Sequence, residues 1–290
     1  MSDRTYGQLY GKWAVALPRL FGKGPAKPGD AFGAPGQGRS VAISVVTSIG
    51  LFLVWYGVTA TGMIEPLFLP SPEAVWDRLW SIIFEDFGGG TLAEHVWASL
   101  VRVFGAFLLA VVTAIPIGIL MGVNRIMRGV FDPPIEFYRP IPPLAYLPLM
   151  VIWFGIGELT KIIIIYLAVF APVALNARAG VRSVSIEQIH AAYSMGASRA
   201  QVLWHVIVKG AMPEILTGMR IGVGFGWTTL VAAELVAAQQ GVGAMIQQAS
   251  DFLVTDVAIM GIVVIGAIAY LFDLLMRYLE RLLVPWKGKV

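Results

Sequence analysis

Apolar residues run along this chain in long unbroken stretches, not in the short alternating patches of a soluble domain. A helix that crosses the roughly 30 Å hydrocarbon layer needs about 20 mostly apolar residues. Six stretches meet that pattern, at about 41–60, 99–122, 141–157, 161–180, 214–238 and 257–279. The third is short and opens in a proline-rich run of Pro133, Pro134, Pro140, Pro142, Pro143 and Pro148. Proline lacks the N–H and crowds the preceding turn, so the entry is expected to be irregular, with continuous helix only after Pro148. Irregular backbone at membrane depth has to be shielded by protein or water. The run reads equally as an interfacial turn or as a hinge.

Composition turns this pattern into a class. Hydrophobic residues make up 57% of the 290 positions and charged residues 13%, against roughly 25% charged in a soluble domain. A soluble fold of this size has too little interior to hide so much apolar surface. A cytosolic enzyme, a disordered chain and a secreted disulfide scaffold are excluded. With no Cys there is no thiolate metal site or cysteine nucleophile. The three histidines, His95, His190 and His205, do not suggest a metal centre. The expected fold is an all-α integral membrane protein, with an N-terminal extension over 1–40 and a six-span domain over 41–290.

Charge placement orients the spans. Eighteen of the 21 Lys and Arg residues fall in the first 40 residues, the second-to-third and fourth-to-fifth connections, and the tail, each taken with its adjoining span ends. Arg78, Arg102 and Lys161 are the exceptions. The opposite connections are acidic, with Glu65, Glu73, Asp77, Glu85, Asp86 and Glu94, then Asp251 and Asp256. Both termini are therefore expected to be cytoplasmic. The first 40 residues lack the apolar core and small-residue cleavage site of a signal peptide. Within them Tyr6, Leu9, Tyr10, Trp13, Leu17, Leu20 and Phe21 recur at helical spacing beside Lys12, Arg19 and Lys23. That pattern reads as a helix lying on the anionic inner leaflet or as a basic tail; the Gly/Pro stretch 22–38 reads as a linker.

The fourth-to-fifth connection, about 183–212, carries the clearest local signals. Ser185 with Gln188, and Ser198 with Gln201, each form the S-x-x-Q pattern of a capping box. The first predicted helix runs through Glu187, His190, Ala191 and Ala192 to Gly196, a residue suited to a left-handed helix stop. The second runs past Arg199, Trp204 and Val208 and is expected to close at Gly210 and Pro213. A capped helix with small side chains suits close approach to a partner protein, and equally a plain elbow between spans.

Ionisable side chains inside spans are costly and tend to be paired or functional. Matching depths pairs Arg102 with Glu234 near the outer ends of their spans, and Arg220 with Asp273 near the inner ends; snorkelling to the interface is the alternative. Trp227, Thr228 and Thr229 lie in a fifth span that also carries Gly218, Gly222, Gly224 and Gly226. Those glycines read as close helix packing, or the polar residues as the lining of a pathway, together with Glu234 and Arg102.

The run His190-Ala191-Ala192, three residues, Gly196, nine residues, then Val206-Ile207-Val208 resembles the EAA loop of ATP-binding-cassette importer permeases. His190 stands where the family has Glu, and Lys209 where it has Pro. The stretches 138–157, 196–204 and 229–235 are similar to the taurine/alkanesulfonate/nitrate branch, as is the ending Leu283-Val284-Pro285-Trp286, and within that branch to the taurine permeases most. The likeness covers about 41–288.

This resemblance implies the type I importer fold, with six transmembrane helices and a cytoplasmic coupling helix, in a bacterial inner membrane. It implies a second copy of the chain, two cytoplasmic ATP-binding subunits and a periplasmic substrate-binding protein as partners, with lipid around them and no nucleic acid. The coupling residues it points to are Glu187, His190, Ala191, Ala192, Gly196, Ser198 and Arg199. The chain has no Gly-x-x-x-x-Gly-Lys-Ser/Thr phosphate cradle, so ATP and Mg are expected on the partner ATPase, with no cofactor, metal or catalytic residue here. Taurine or a related sulfonate is the expected solute, with nitrate or bicarbonate as alternatives. A secondary transporter is the rival class, but no internal repeat is evident; an intramembrane enzyme would need a nucleophile with its base or a metal cluster.

Overall fold

The computed structural model describes residues 41–286; the expected helix and linker within 1–40 lie outside them. The chain divides into two units, 1–54 and 55–290. Helix α1, Val41–Ala60, begins in the first of these. Its 20 residues amount to about 30 Å at 1.5 Å per residue, enough to span.

The second unit continues with α2 (Pro72–Phe84), α3 (Leu92–Val123), α4 (Arg125–Tyr138), α5 (Pro143–Phe154) and α6 (Glu158–Ser183). It is completed by α7 (Ile186–Ser194), α8 (Arg199–Gln201), a π-helical stretch Val202–Ile207, α9 (Val208–Ala237), α10 (Val242–Asp251) and α11 (Thr255–Leu283). No strand occurs among the described residues. Among the described residues, five helical segments are long and apolar enough to cross a membrane by themselves.

The expected third span is the exception. Helix α5 has 12 residues, about 18 Å, too short to cross the hydrocarbon layer by itself. Helix α4 meets the Ser183 end of α6 through Asp132 and Arg178, and Glu158 at the other end of α6 meets Arg102, so α4, 139–142 and α5 make that crossing together. The start of α5 also differs from expectation. The helix opens at Pro143 and carries Pro148 inside it, and α4 runs through Pro133 and Pro134. A proline's fixed φ is helical, so at Pro143 it costs nothing in an N-terminal turn, and further in it removes one hydrogen bond without ending the helix. Only 139–142 stays outside a helix.

Helix α6 is the centre of the core, packed against α3 on one side and α9 on the other. Small residues make this possible. Ala106, Ala110, Ala114 and Gly118 recur every fourth position on α3, and all are buried. A Cβ at Gly118 would come within 2.6 Å of Ala177 Cβ on α6. On α9, Gly218, Gly222 and Gly226 repeat the spacing, and added Cβ atoms would meet Asn176 at 2.5 Å and Val169 at 3.1 Å. In lipid, where apolar burial gives little driving force between helices, such close backbone approach supplies the packing energy. A second cluster joins α2 to α10 and α11 through Val75, Ile82, Met245 and Met260. A third, of Ala177, Val181, Ala211 and Ile215, closes the Ser183 end of α6 against α9.

Candidate functional site

The elbow between α6 and α9 is built from local signals. Ser185 caps α7 by accepting from Gln188 N at 3.3 Å; of the expected capping box, this forward half forms. Gly196 takes φ +84°. Its N–H donates to Tyr193 O at 2.9 Å, and Ala197 N–H donates to Ala192 O at 3.1 Å. Those two bonds are the Schellman pair that ends a helix through a left-handed residue. Ser198 and Gln201 then form a complete capping box: Gln201 N donates to Ser198 Oγ at 3.3 Å, and Ser198 N donates to Gln201 Oε1 at 2.8 Å. Two capped starts and one stop fix the turn direction from the backbone outward.

The elbow does not close at Gly210 and Pro213. The chain passes through the π-helical stretch, where Val208 N–H bonds Leu203 O, and continues as α9 through both residues. Gly210 stays helical because its missing side chain makes room for Val184, whose Cγ2 would lie 2.8 Å from a Cβ there. Glu187, His190 and Ala191 share one exposed stripe of α7, and Gly196, Ser198 and Arg199 are exposed beyond it. Ala192 is turned inward, with 6% of its surface exposed. Tyr193, Met195 and Trp204 stand exposed around the stripe.

At the Leu92 end of α3 a buried polar cluster ties four helices together. Arg102 and Glu234, 4% and 1% exposed, meet with Nη1 donating to Oε1 at 2.6 Å. Glu234 also accepts from Ser99 Oγ at 2.8 Å and from Gly243 N at 2.9 Å. The other edge of Arg102 donates to both carboxylate oxygens of Glu158, at 2.5 and 2.8 Å. Its Nη1 further donates to Gln240 O at 2.6 Å, and Lys161 Nζ donates to Glu158 at 2.8 Å. His95, fully buried, accepts from Gly241 N at 3.0 Å through Nδ1 and lies 2.8 Å from Phe87 O through Nε2. The connection between α9 and α10 is thus pinned to α3 by side chains on three of its turns. Gly241, at φ +132°, has no space for a Cβ beside the Glu234 carboxylate.

The pairing of Arg102 with Glu234 follows the depth argument. Lys161 stands out in the sequence as an exception to the charge rule and His95 as one of three histidines, but neither, nor Ser99 or Glu158, reads there as a partner of that pair. The spacing of His95, Ser99 and Arg102, at i, i+4 and i+7, places them on one helical face and was the available signal. Arg220 also meets its expected partner, Asp273, at 3.1 Å, with Glu280 and Arg277 close by.

The remaining pathway candidates do not converge. Trp227 is buried in the apolar core with Val223 and Phe272. Thr229 is buried near Leu147 and Ile164. Thr228 is exposed and bonds its own helix at Phe225 O, 2.9 Å.

Known proteins give this architecture a family. Residues 114–284 match the family model described as binding-protein-dependent transport system inner membrane component. The chain is 56% identical over 253 residues to the taurine transport system permease protein TauC of Escherichia coli, covering 87% of this chain and 92% of that protein. It is 32% identical to the aliphatic sulfonates transport permease protein SsuC of Escherichia coli, covering 82% of this chain and 89% of that protein. It is 31% identical to the nitrate import permease protein NrtB of Synechocystis, covering 85% and 91%. Among solved structures, the inward-facing MetNI methionine ABC transporter superposes with a TM-score of 0.58 at 19% identity, covering 71% of this chain and 98% of that chain; that likeness is one of fold. The family consists of transport subunits, not enzymes, and this chain, a multi-pass ABC importer permease, belongs to the binding-protein-dependent transport system inner membrane component family.

Proposed function

We propose that this chain is the permease of an ATP-driven importer of taurine or a closely related sulfonate, working as a homodimer in a bacterial inner membrane. The observation that carries the reading is the identity with the taurine permease protein of Escherichia coli, which runs through nearly the whole length of both chains. A periplasmic binding protein delivers the solute to the acidic side, and both termini face the cytoplasm, as the distribution of Lys and Arg requires.

Two cytoplasmic ATP-binding subunits supply the energy. They dock on the elbow, where Glu187, His190 and Ala191 form an exposed stripe and Ser198 and Arg199 present the start of the next helix. The Schellman stop at Gly196 and the capping box at Ser198 make the elbow stiff. Helix α9 runs from it without a break toward the opposite end of the span. ATP-driven closure of the partner pair would therefore act on the elbow as a lever and swing the spans between inward and outward opening. Residues Arg102 and Glu234 lock the far end of that lever; they are holding residues, not solute contacts.

The test is assembly and stimulation. The chain should co-purify with an ATP-binding subunit, and ATPase activity in proteoliposomes should rise only when the solute-loaded binding protein is present on the other side. Activity indifferent to the binding protein would refute the importer reading.

A further inference from the structure

A cavity of about 490 Å³ opens between the α4–α5 connection, α6 and α9. It far exceeds the 10–15 Å³ that a single water requires. Pro140 and Pro142 line it from one side, and Leu167 to Asn176 of the spanning helix α6 from the other. The irregular segment 139–142 therefore lies opposite residues of a span. Backbone of that kind is tolerated at such depth where it borders protein or a water-filled space.

Three polar groups reach this cavity. Asn176 donates through Nδ2 to Pro172 O at 2.8 Å, which leaves its Oδ1 and second N–H without a protein partner among the described residues. Tyr146 lines the cavity from α5, and its hydroxyl makes no protein hydrogen bond among the described residues. Arg139 sits at the rim with its side chain 55% exposed, and among the described residues its one ion-pair contact is to Glu136 at 3.7 Å. A polar amide inside a span needs a reason to be there, and its bond to Pro172 O uses one of its two N–H donors. A guanidinium presents a planar fork of donors that matches the oxygens of an anion. An amide oxygen and a phenol can take an ammonium at the other end.

We propose that this cavity is a passage site for the transported solute, with Arg139 facing the sulfonate of a small aminosulfonate and Asn176 and Tyr146 facing its ammonium end. The proposal rests on the importer reading above. Few and unshielded contacts suit such a site, because a solute in transit has to leave as readily as it enters.

The chain has no native cysteine, so single substitutions report cleanly. In the assembled complex in nanodiscs, the Asn176→Cys and Tyr146→Cys variants are treated with 2-sulfonatoethyl methanethiosulfonate, with and without millimolar taurine. Both should be modified, and taurine should slow the reaction at least threefold; a Ser250→Cys control at the exposed end of α10 should react at the same rate with and without it. Failure of both variants to react would mean that a second copy or lipid fills the cavity, and would overturn the proposal. So would reaction that taurine does not slow. Taurine uptake by the unaltered complex is measured alongside: uptake without protection removes the passage site alone, and no uptake removes the sulfonate assignment as well.

Discussion

Arg102 Nη1 donates to Glu234 Oε1 across 2.6 Å, joining two helices whose residues stand 132 positions apart in sequence. Glu234 also accepts from Ser99 and Gly243 N, and Arg102 places four of its five N–H donors, on Glu234, Gln240 O and Glu158. A buried pair is worth little over an apolar replacement of equal volume, but removing one partner strands the other. The cluster's role is therefore specificity of placement. It fixes where the connection after α9 sits.

Glu234→Ala should lower stability by about 3–5 kcal/mol, read as a fall in melting temperature of the nanodisc-embedded protein. Glu234→Gln keeps the Ser99 and Gly243 contacts and should lose less. The Arg102→Met, Glu234→Ala double variant should lose less than the sum of the two singles, with a coupling of about 0.5–3 kcal/mol. Additive losses would mean that the two side chains do not act as a pair.

Gly118→Ala should disrupt the core although it adds one methyl group. Its Cβ would press on the Ala174 carbonyl oxygen, which belongs to α6 backbone and has nowhere to go; overpacking of this kind costs about 1–3 kcal/mol. Gly105→Ala, on the same helix with nothing within 4 Å, should be tolerated. Thermal unfolding of the two variants side by side checks the contrast.

Gly196→Val tests the elbow through backbone strain alone, because no atom lies within 4 Å of the position a Cβ would take. A β-branched residue at φ +84° costs about 1–2 kcal/mol. Transport and ATPase stimulation should fall together while insertion is retained, and Gly196→Asn should lose less.

Ala191 and Ala192 are adjacent and should separate by readout. Ala192→Leu overfills an intrachain contact beside the π-helical stretch, and should lower the melting temperature by the equivalent of about 1–3 kcal/mol. Ala191→Leu lies on the exposed stripe and should leave the melting temperature unchanged while weakening co-purification of the ATP-binding subunit.

Much of this was legible in the sequence because the signals were local or one-dimensional. The apolar runs gave the spanning helices, and Gly196 and Ser198 gave the elbow's stop and restart, since a left-handed position and a capping box depend on neighbours a few residues apart. Depth along two helices was enough to pair Arg102 with Glu234. The rest depended on tertiary packing. The third stretch read as short, but its bounds were not legible: the helix starts at Pro143 and ends at Phe154, because an apolar composition does not report where a helix begins or stops. Gly210 and Pro213 read as a stop, yet both sit inside a helix whose neighbour, Val184, occupies the missing side chain's place. Helices α2 and α10 were missed because their apolar faces are too short for a span and match each other, across the second cluster, only in the folded chain. Glu158 entered the polar cluster from a third helix that no spacing rule could place beside Arg102.

The central claim is ATP-driven import of a sulfonate through this chain, and uptake tests it most directly. Proteoliposomes holding the chain with its ATP-binding subunits, and given the binding protein and radiolabelled taurine on the side opposite ATP, should accumulate label only when ATP is present. Excess unlabelled alkanesulfonate should compete for that uptake if the site accepts the class. Accumulation that is equally fast without ATP, or an assembled and ATP-hydrolysing complex that moves no taurine, would contradict the account.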